Sequence, residues 1–281
     1  MKERIAIVTD STADIPPSVA NELGITVIPL TVNFNTQQYL DGVEISSDEF
    51  YPMLTASTNL PTTSQPSPAE FRSIYERLLE DHDSIISIHI SSGLSGTITS
   101  ALTARELVQG DIHVFDSRSI SLGIALIATE AVDMVKQGLS AAEIIARLEQ
   151  VREGTEVMFT LDTLEYLRKG GRIGKVQAVM GALLSIKPIV RVVDGIYIPV
   201  GKVRRQEQAL QEIVQQFQAL AVNKTVKRIV VAHGAAQKAA ELLTDKIRQA
   251  FGRKPDLTVQ VGPVIGVHTG PGTVGAAMLF E

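Results

Sequence analysis

The chain has 281 residues, 44% of them apolar and 20% charged, with a net charge of −5, no cysteine, no tryptophan and only 5% aromatic residues. Disulfides, thiolate metal centres and a cysteine nucleophile are therefore excluded, and an acidic chain with few stacking rings and no Lys/Arg-rich run lacks a nucleic-acid footprint. The length exceeds that of a usual single domain, so two domains, or one α/β unit with two lobes, are expected.

The first half alternates strands and helices. RIAIVTD reads as a buried strand, IPPSVANELG as a helix closed by Gly24, and ITVIPLTVNF as a second strand; the stretch 35–47 reads as loop. AEFRSIYERLLED places Phe71, Ile74, Tyr75, Leu78 and Leu79 on one helix face. SIISIHIS and DIHVFDS are strands, SGTITSALTARELV is a helix between them, and two helices run on to Gln150. Repeated βα units predict a mainly parallel sheet with flanking helices. From about Gly154 the pattern changes: a strand VMFTLD, a helix TLEYLRK, and a hairpin KPIVRVVDGIYIPVGKVR turning at Asp194-Gly195. A helix RQEQALQEIVQQFQAL follows, with Leu210, Ile213, Val214, Phe217 and Leu220 on one face, then a strand RIVVAHG and a helix to Phe251. The expected organisation is an N-terminal α/β lobe over 1–155 and a smaller C-terminal α/β lobe over 156–281.

The opening MKERIAIVTD steps from charge straight into a strand, without the apolar segment of a signal peptide. The most apolar helical stretch, ISLGIALIATEAVDMV, is interrupted by Glu130 and Asp133 and falls short of the roughly 20 residues of a membrane span. A cytoplasmic location without stable membrane insertion is expected.

Four segments combine small residues and hydroxyls beyond what packing requires. TDSTADIP at 9–16 ends the first strand, where open parallel sheets bind ligands; Asp14 reads as a cap for the following helix, while Asp10 and Ser11 serve equally as caps or ligand groups. LPTTSQPSPAEF at 60–71 contains a helix start at Ser67-Pro68 with Glu70. That leaves the hydroxyl run Thr62, Thr63 and Ser64 unexplained, and Thr63 is the candidate binder. IHISSGLSGTITSA at 88–101 turns from strand to helix with Ser95, Gly96 and Thr97 at the turn, a geometry that suits an anion and equally an ordinary serine-capped turn. VGPVIGVHTGPGTVG at 261–275 sets His268 and Thr269 among glycines, which points His268 towards binding. No esterase elbow, phosphate loop or zinc helix is present, and His82, His89, His113, His233 and His268 show no metal-ligand spacing. Ser95 with His268 imitates a nucleophile and base without a third orienting group, so a serine-dependent acyl hydrolase or acyltransferase is the alternative function.

In order and spacing, IVTDSTADIP, TSQPSP, SSGLSGTITSA, LEYLRKGGRIGK and GPVIGVHTGPGTVG make the chain resemble the DegV family of bacterial fatty-acid-binding proteins, which includes the binding subunits of fatty acid kinase. The resemblance spans nearly the whole chain. It implies a long-chain fatty acid such as hexadecanoate held between the lobes, no catalytic residue, no metal and no cofactor. By motif, the carboxylate binders are Thr63 and Ser95 with His268 close by; Ser64, Gly96, Thr97, Thr269 and Arg172 are further candidates. Arg172 is also well placed to cap a helix C-terminus. The implied partner is a fatty acid kinase with a dihydroxyacetone-kinase-like domain, which phosphorylates the carboxylate for phospholipid metabolism. Among Lys202, Arg204 and Arg205, Arg204 is the candidate for docking it. Ile98 stands where relatives often carry an aromatic residue, which bears on pocket shape.

Overall fold

The computed structural model describes residues 3–179 and 186–281. The first half runs β1 (Ile5–Asp10), α1 (Pro17–Leu23), β2 (Ile25–Ile28), β3 (Thr31–Phe34), β4 (Gln37–Leu40), α2 (Ser47–Ala56), β5 (Thr62–Ser64), α3 (Pro68–Leu79) and β6 (Ser84–His89). It continues with α4 (Thr97–Glu106), β7 (Asp111–Asp116), α5 (Leu122–Gln137) and α6 (Ala141–Gly154). The second half comprises β8 (Thr155–Thr160), α7 (Glu165–Lys169), β9 (Lys187–Val193), β10 (Ile196–Val203), α8 (Gln206–Leu220), β11 (Val226–His233), α9 (Gln237–Phe251), β12 (Leu257–Gln260), α10 (Pro263–Thr269) and β13 (Val274–Phe280).

Strands β2-β1-β6-β7 form a wholly parallel sheet. A second lobe carries the sheet β10-β9-β8-β13-β11-β12, antiparallel except for the β11–β12 pair. The fold is thus the expected mixed α/β class, with the parallel sheet in the first half. Alternation along the strands sorts side chains between layers. Ile5 and Ile7 of β1 join one core cluster, and Ala6 and Val8 join another with Phe71 and Tyr75 of α3. Val157 and Phe159 of β8 face that first cluster, whereas Met158 faces the helices α8 and α9.

Helix α5 explains how the two sheets stack. Its first two turns, LGIALIA, are apolar on every side, and a helix of that kind must be covered all round. It packs on β1 and β6 of the first sheet and on β8, β11 and β13 of the second. Its one fully buried acid, Glu130, is held from β11 by Arg228 Nε at 2.7 Å and Lys227 Nζ at 2.8 Å.

Local chemistry accounts for most element ends. Ser46, Ser67 and Ser140 form capping boxes with Glu49, Glu70 and Glu143. The β9–β10 hairpin turns at Asp194 (φ 49°) and Gly195 (φ 77°), positive at both positions as a tight hairpin turn requires.

Two expectations are corrected. ITVIPLTVNF is not one strand: it breaks at Pro29-Leu30 into β2, which stays in the parallel sheet, and β3, which leaves it. The stretch read as loop at 35–47 contains β4, and β4-β3-β5 form a small antiparallel sheet. Helix α10 packs on β3, β5 and α2, burying Val264 and Val267 against Phe50, Tyr51 and Leu54. Gly266 permits this approach, because a Cβ there would stand 2.5 Å from the Phe50 ring.

Candidate functional site

The site grows from the C-terminal end of the parallel sheet. β1 runs into a 3-10 turn at Ser11–Ala13, and β6 runs into the turn that holds Ser95. The small sheet brings β5 alongside. Because side chains alternate along a strand, Thr62 and Ser64 are exposed and Thr63 is turned inward against α10. There the Thr63 hydroxyl lies 2.9 Å from His268 Nε2. The glycine-rich segment that carries His268 is a seven-residue helix closed by Gly270 at φ 74°.

Thr63, Ser95, Arg172 and His268 line one cavity. Segments more than 200 residues apart in the chain thus meet at one spot. Ser95 Oγ shares a hydrogen bond with Thr97 Oγ1 at 2.9 Å and accepts from the Thr97 amide at 3.3 Å. Burial, and secondarily the Arg172 charge, push His268 down to about 4, so its ring is neutral at pH 7. Its Nδ1 has no hydrogen-bond partner among the described residues and is pressed against Gly170, where a Cβ would stand 2.3 Å away. Arg172 donates to Leu94 O at 3.3 Å and Gly170 O at 2.8 Å. It therefore caps a helix end and borders the cavity at once.

A second, mainly apolar space, the inner channel, adjoins it, walled by Leu122, Val157, Phe159, Val261, Ala232 and Ala276. Ile120 and Ile265 line both spaces and form the joint between them. On the outer side, Thr63, Arg172 and His268 also border a vestibule that includes Lys169. The vestibule thus has exposed Lys169 and Arg172 at its border, the chamber mixes polar and apolar side chains, and the inner channel is lined by buried, mainly apolar ones.

The other sequence candidates fall elsewhere. Ser64 accepts from Asn33 Nδ2 at 3.2 Å on the outer face of β5. Gly96 is the N-cap of α4, and Thr97 is fully buried, reaching the chamber only through its bond to Ser95. Thr269 borders the inner channel. Arg204 is exposed just beyond β10, with no ion pair among the described residues. Asp14, read as a helix cap, does not cap α1, whose N-cap is Pro16 without a side-chain bond. Its carboxyl instead accepts from Gly262 N at 2.7 Å and from the Ser121 hydroxyl. Asp10 does cap the 3-10 turn through Thr12 N, and it also accepts from His89 Nδ1 at 2.9 Å. His89 in turn meets Ser87 at 2.6 Å, an Asp-His-Ser series that is wholly buried and closed off by Tyr75 Oη at 2.8 Å. It ties β1 to β6, and none of its four residues lines the chamber or the inner channel.

Three chamber residues with polar side chains, Thr12, Gln65 and Tyr197, were not singled out from sequence. Thr12 is held by Asp10, and Gln65 lies over Gly96, where a Cβ would be 2.5 Å from its Nε2. Tyr197 comes from the β9–β10 hairpin and stacks edge-on with Phe159 at 5.4 Å. Thr12, inside TDSTADIP, and Gln65, inside TSQPSP, both lie in segments with a local signal; Tyr197 does not. Among the described residues no group of acidic, histidine or cysteine side chains could hold a metal ion, and no helix is long and apolar enough to cross a membrane.

The fold places the chain among two-lobed α/β proteins that enclose a cavity at the end of a parallel sheet. It belongs to the DegV family: the family model, described as an uncharacterised protein family of that name, matches residues 4–281. A DegV domain-containing protein of Halalkalibacterium halodurans is 40% identical over 280 residues, covering 99% of both chains. Among solved structures, a DegV family protein from Thermus thermophilus, described by its fatty acid binding, superposes with a TM-score of 0.93 at 35% identity, covering 99% of this chain and 100% of that one. A stearic acid-binding protein from Eubacterium ventriosum gives 0.91 at 27% identity, covering 98% of each.

Proposed function

We propose that this chain binds a long-chain fatty acid, tail inward, and presents its carboxylate to a partner fatty acid kinase. The observation that carries the reading is the sequence of spaces: uncharged groups of Thr63, Ser95 and His268 border a chamber that opens inward onto a channel of hydrocarbon. The fatty acid and stearic acid binding of solved relatives supports it.

The energetics require both parts. A saturated tail of about fifteen methylenes yields roughly 0.8 kcal/mol each on burial, about 12 kcal/mol gross. Association costs about 4–15 kcal/mol, so the tail must be almost wholly enclosed. The head group then supplies orientation. Neutral His268 sets the polarity of its neighbour: with the proton on Nε2 it donates to Thr63, which leaves the Thr63 hydroxyl proton for a carboxylate. Arg172 donates to two backbone carbonyls, which fixes its guanidinium at the border of the chamber, where it lends positive charge to the acid end.

The chain acts in this reading as a carrier without bond-breaking chemistry of its own. A Ser95–His268 hydrolase is disfavoured because His268 Nε2 is engaged by Thr63, and its Nδ1 meets no carboxylate. The kinase reaches the acid end through the vestibule, and exposed Arg204 is offered as a separate docking contact. The test combines a purified bacterial fatty acid kinase, ATP and hexadecanoic acid with and without this chain. Acyl phosphate forms only when all are present. Ester hydrolysis by the chain alone, or kinase turnover indifferent to its addition, contradicts the proposal.

A further inference from the structure

The inner channel contains three hydroxyl side chains, Ser121, Thr269 and Thr273, in a wall otherwise built from hydrocarbon and glycine. A hydroxyl has one proton to give, and each of these has given it away from the channel. Thr269 donates to Ile265 O at 3.0 Å. Thr273 donates to Thr269 O at 3.0 Å and Gly270 O at 2.9 Å. Both are bonds back to the preceding turn, and they leave the threonine methyl groups as what these side chains offer an occupant.

Ser121 differs, because its acceptor is a side chain from another part of the chain. It donates to Asp14 Oδ2, while Asp14 Oδ1 accepts from Gly262 N at 2.7 Å. Both ends of the bond sit on costly backbone: Ser121 has φ 51° and ψ −126°, and Asp14 has φ 54°. Ser121 also stands beside Ile120, the joint between chamber and channel.

We propose that this lining, with no side-chain hydrogen left to donate, makes the channel a filter for plain hydrocarbon tails, and that Asp14 sets the filter by drawing the Ser121 proton out of the channel. The inference rests on the fatty-acid reading and adds the class of tail accepted. A carbonyl oxygen carried into the channel loses its water and finds no side-chain donor, which costs affinity. A plain or unsaturated tail has nothing to lose.

The experiment measures binding of hexadecanoic acid and of its keto derivatives, with the carbonyl walked along the chain, by titration calorimetry. The buffer is held a unit or more above about 7, the value to which burial raises Asp14, so that its carboxylate only accepts. On the unaltered chain, keto acids with the carbonyl in the channel bind roughly 5- to 150-fold more weakly than hexadecanoic acid. Asp14→Asn keeps an acceptor for Gly262 and places an amide N–H opposite Ser121, which turns the serine proton back into the channel. The penalty then shrinks at the carbonyl position facing Ser121 and at no other, and it returns in the Asp14→Asn/Ser121→Ala double variant. Equal binding of keto and plain acids by the unaltered chain overturns the proposal, as does relief that survives Ser121→Ala or an Asp14→Asn variant that relieves nothing. Should Asp14→Asn fail to fold, the keto series on the unaltered chain decides alone: a penalty throughout the channel upholds the filter, and none removes it. If hexadecanoic acid itself does not bind, the fatty-acid reading falls and the filter with it.

Discussion

Thr63→Val exchanges a hydroxyl for a methyl group while keeping the β-branch that suits strand β5. Two effects follow and can be read separately. In the free protein, His268 Nε2 loses its only hydrogen bond, at 2.9 Å, and Nδ1 already has none among the described residues. A buried polar group stranded in this way costs about 1–3 kcal/mol. At a few degrees per kcal/mol for a chain of this size, the thermal midpoint falls by roughly 2–10 °C. In the complex, a hydrogen bond to a charged carboxylate is lost, worth about 1.5–3 kcal/mol, so hexadecanoic acid binds roughly 10- to 150-fold more weakly. Displacement of a fluorescent polyene fatty acid reports affinity, and a melt without lipid reports stability. A lowered midpoint with unchanged affinity would falsify the head-group assignment, because it would make the Thr63–His268 contact a purely structural bond.

Three other outcomes are expected. Gly170→Ala places a methyl group 2.3 Å from His268 Nδ1, so the ring must move and its hydrogen bond with Thr63 is disturbed; hexadecanoic acid binding weakens at least tenfold, and near-normal affinity contradicts the packing described. Burial raises Asp14 to about 7 and Asp41 to about 8, so between their unfolded value near 3.8 and these values the folded chain binds more protons than the unfolded one. Stability is therefore lost as pH rises from about 4 and the loss is complete by about 8; urea midpoints should fall from about pH 5 to 8, level off above that and fall less in Asp41→Asn, whereas a rising midpoint contradicts the assignment. Arg228→Met removes one of two cations on buried Glu130 and costs about 1.5–3 kcal/mol. That is less than the 3–5 kcal/mol of a fully orphaned charge, because Lys227 still reaches Glu130 at 2.8 Å; denaturant unfolding checks the figure.

What sequence could and could not reveal follows from the range of the forces involved. Helix faces such as Leu210, Ile213, Val214 and Phe217, and the Asp194-Gly195 turn, are local and were legible. Thr63, Ser95 and His268 stand out within their own segments as an unexplained hydroxyl run, a small-residue turn and a histidine among glycines; the structure brings them to one cavity, and their part in binding is the proposal above. The β3–β4–β5 sheet was hidden because QQYL is polar and lacks alternation, and its pairing depends on a proline break rather than a hydrophobic pattern. Asp14 looked like a cap because a cap is the local use of an aspartate before a helix. Its true partners, Ser121 and Gly262, lie 107 and 248 residues away. Tyr197 was invisible for the same reason: a hairpin tyrosine reads as ordinary sheet until the lobes are folded together.

The central claim is that the space leading in from His268 is made for an acyl chain. Its most direct test is mass spectrometry of lipid extracted from gently purified native protein, followed by titration of the stripped chain with hexadecanoic acid. The account predicts one fatty acid per polypeptide in the extract and saturable uptake at the same stoichiometry. Protein that emerges empty and takes up no hexadecanoic acid would contradict it.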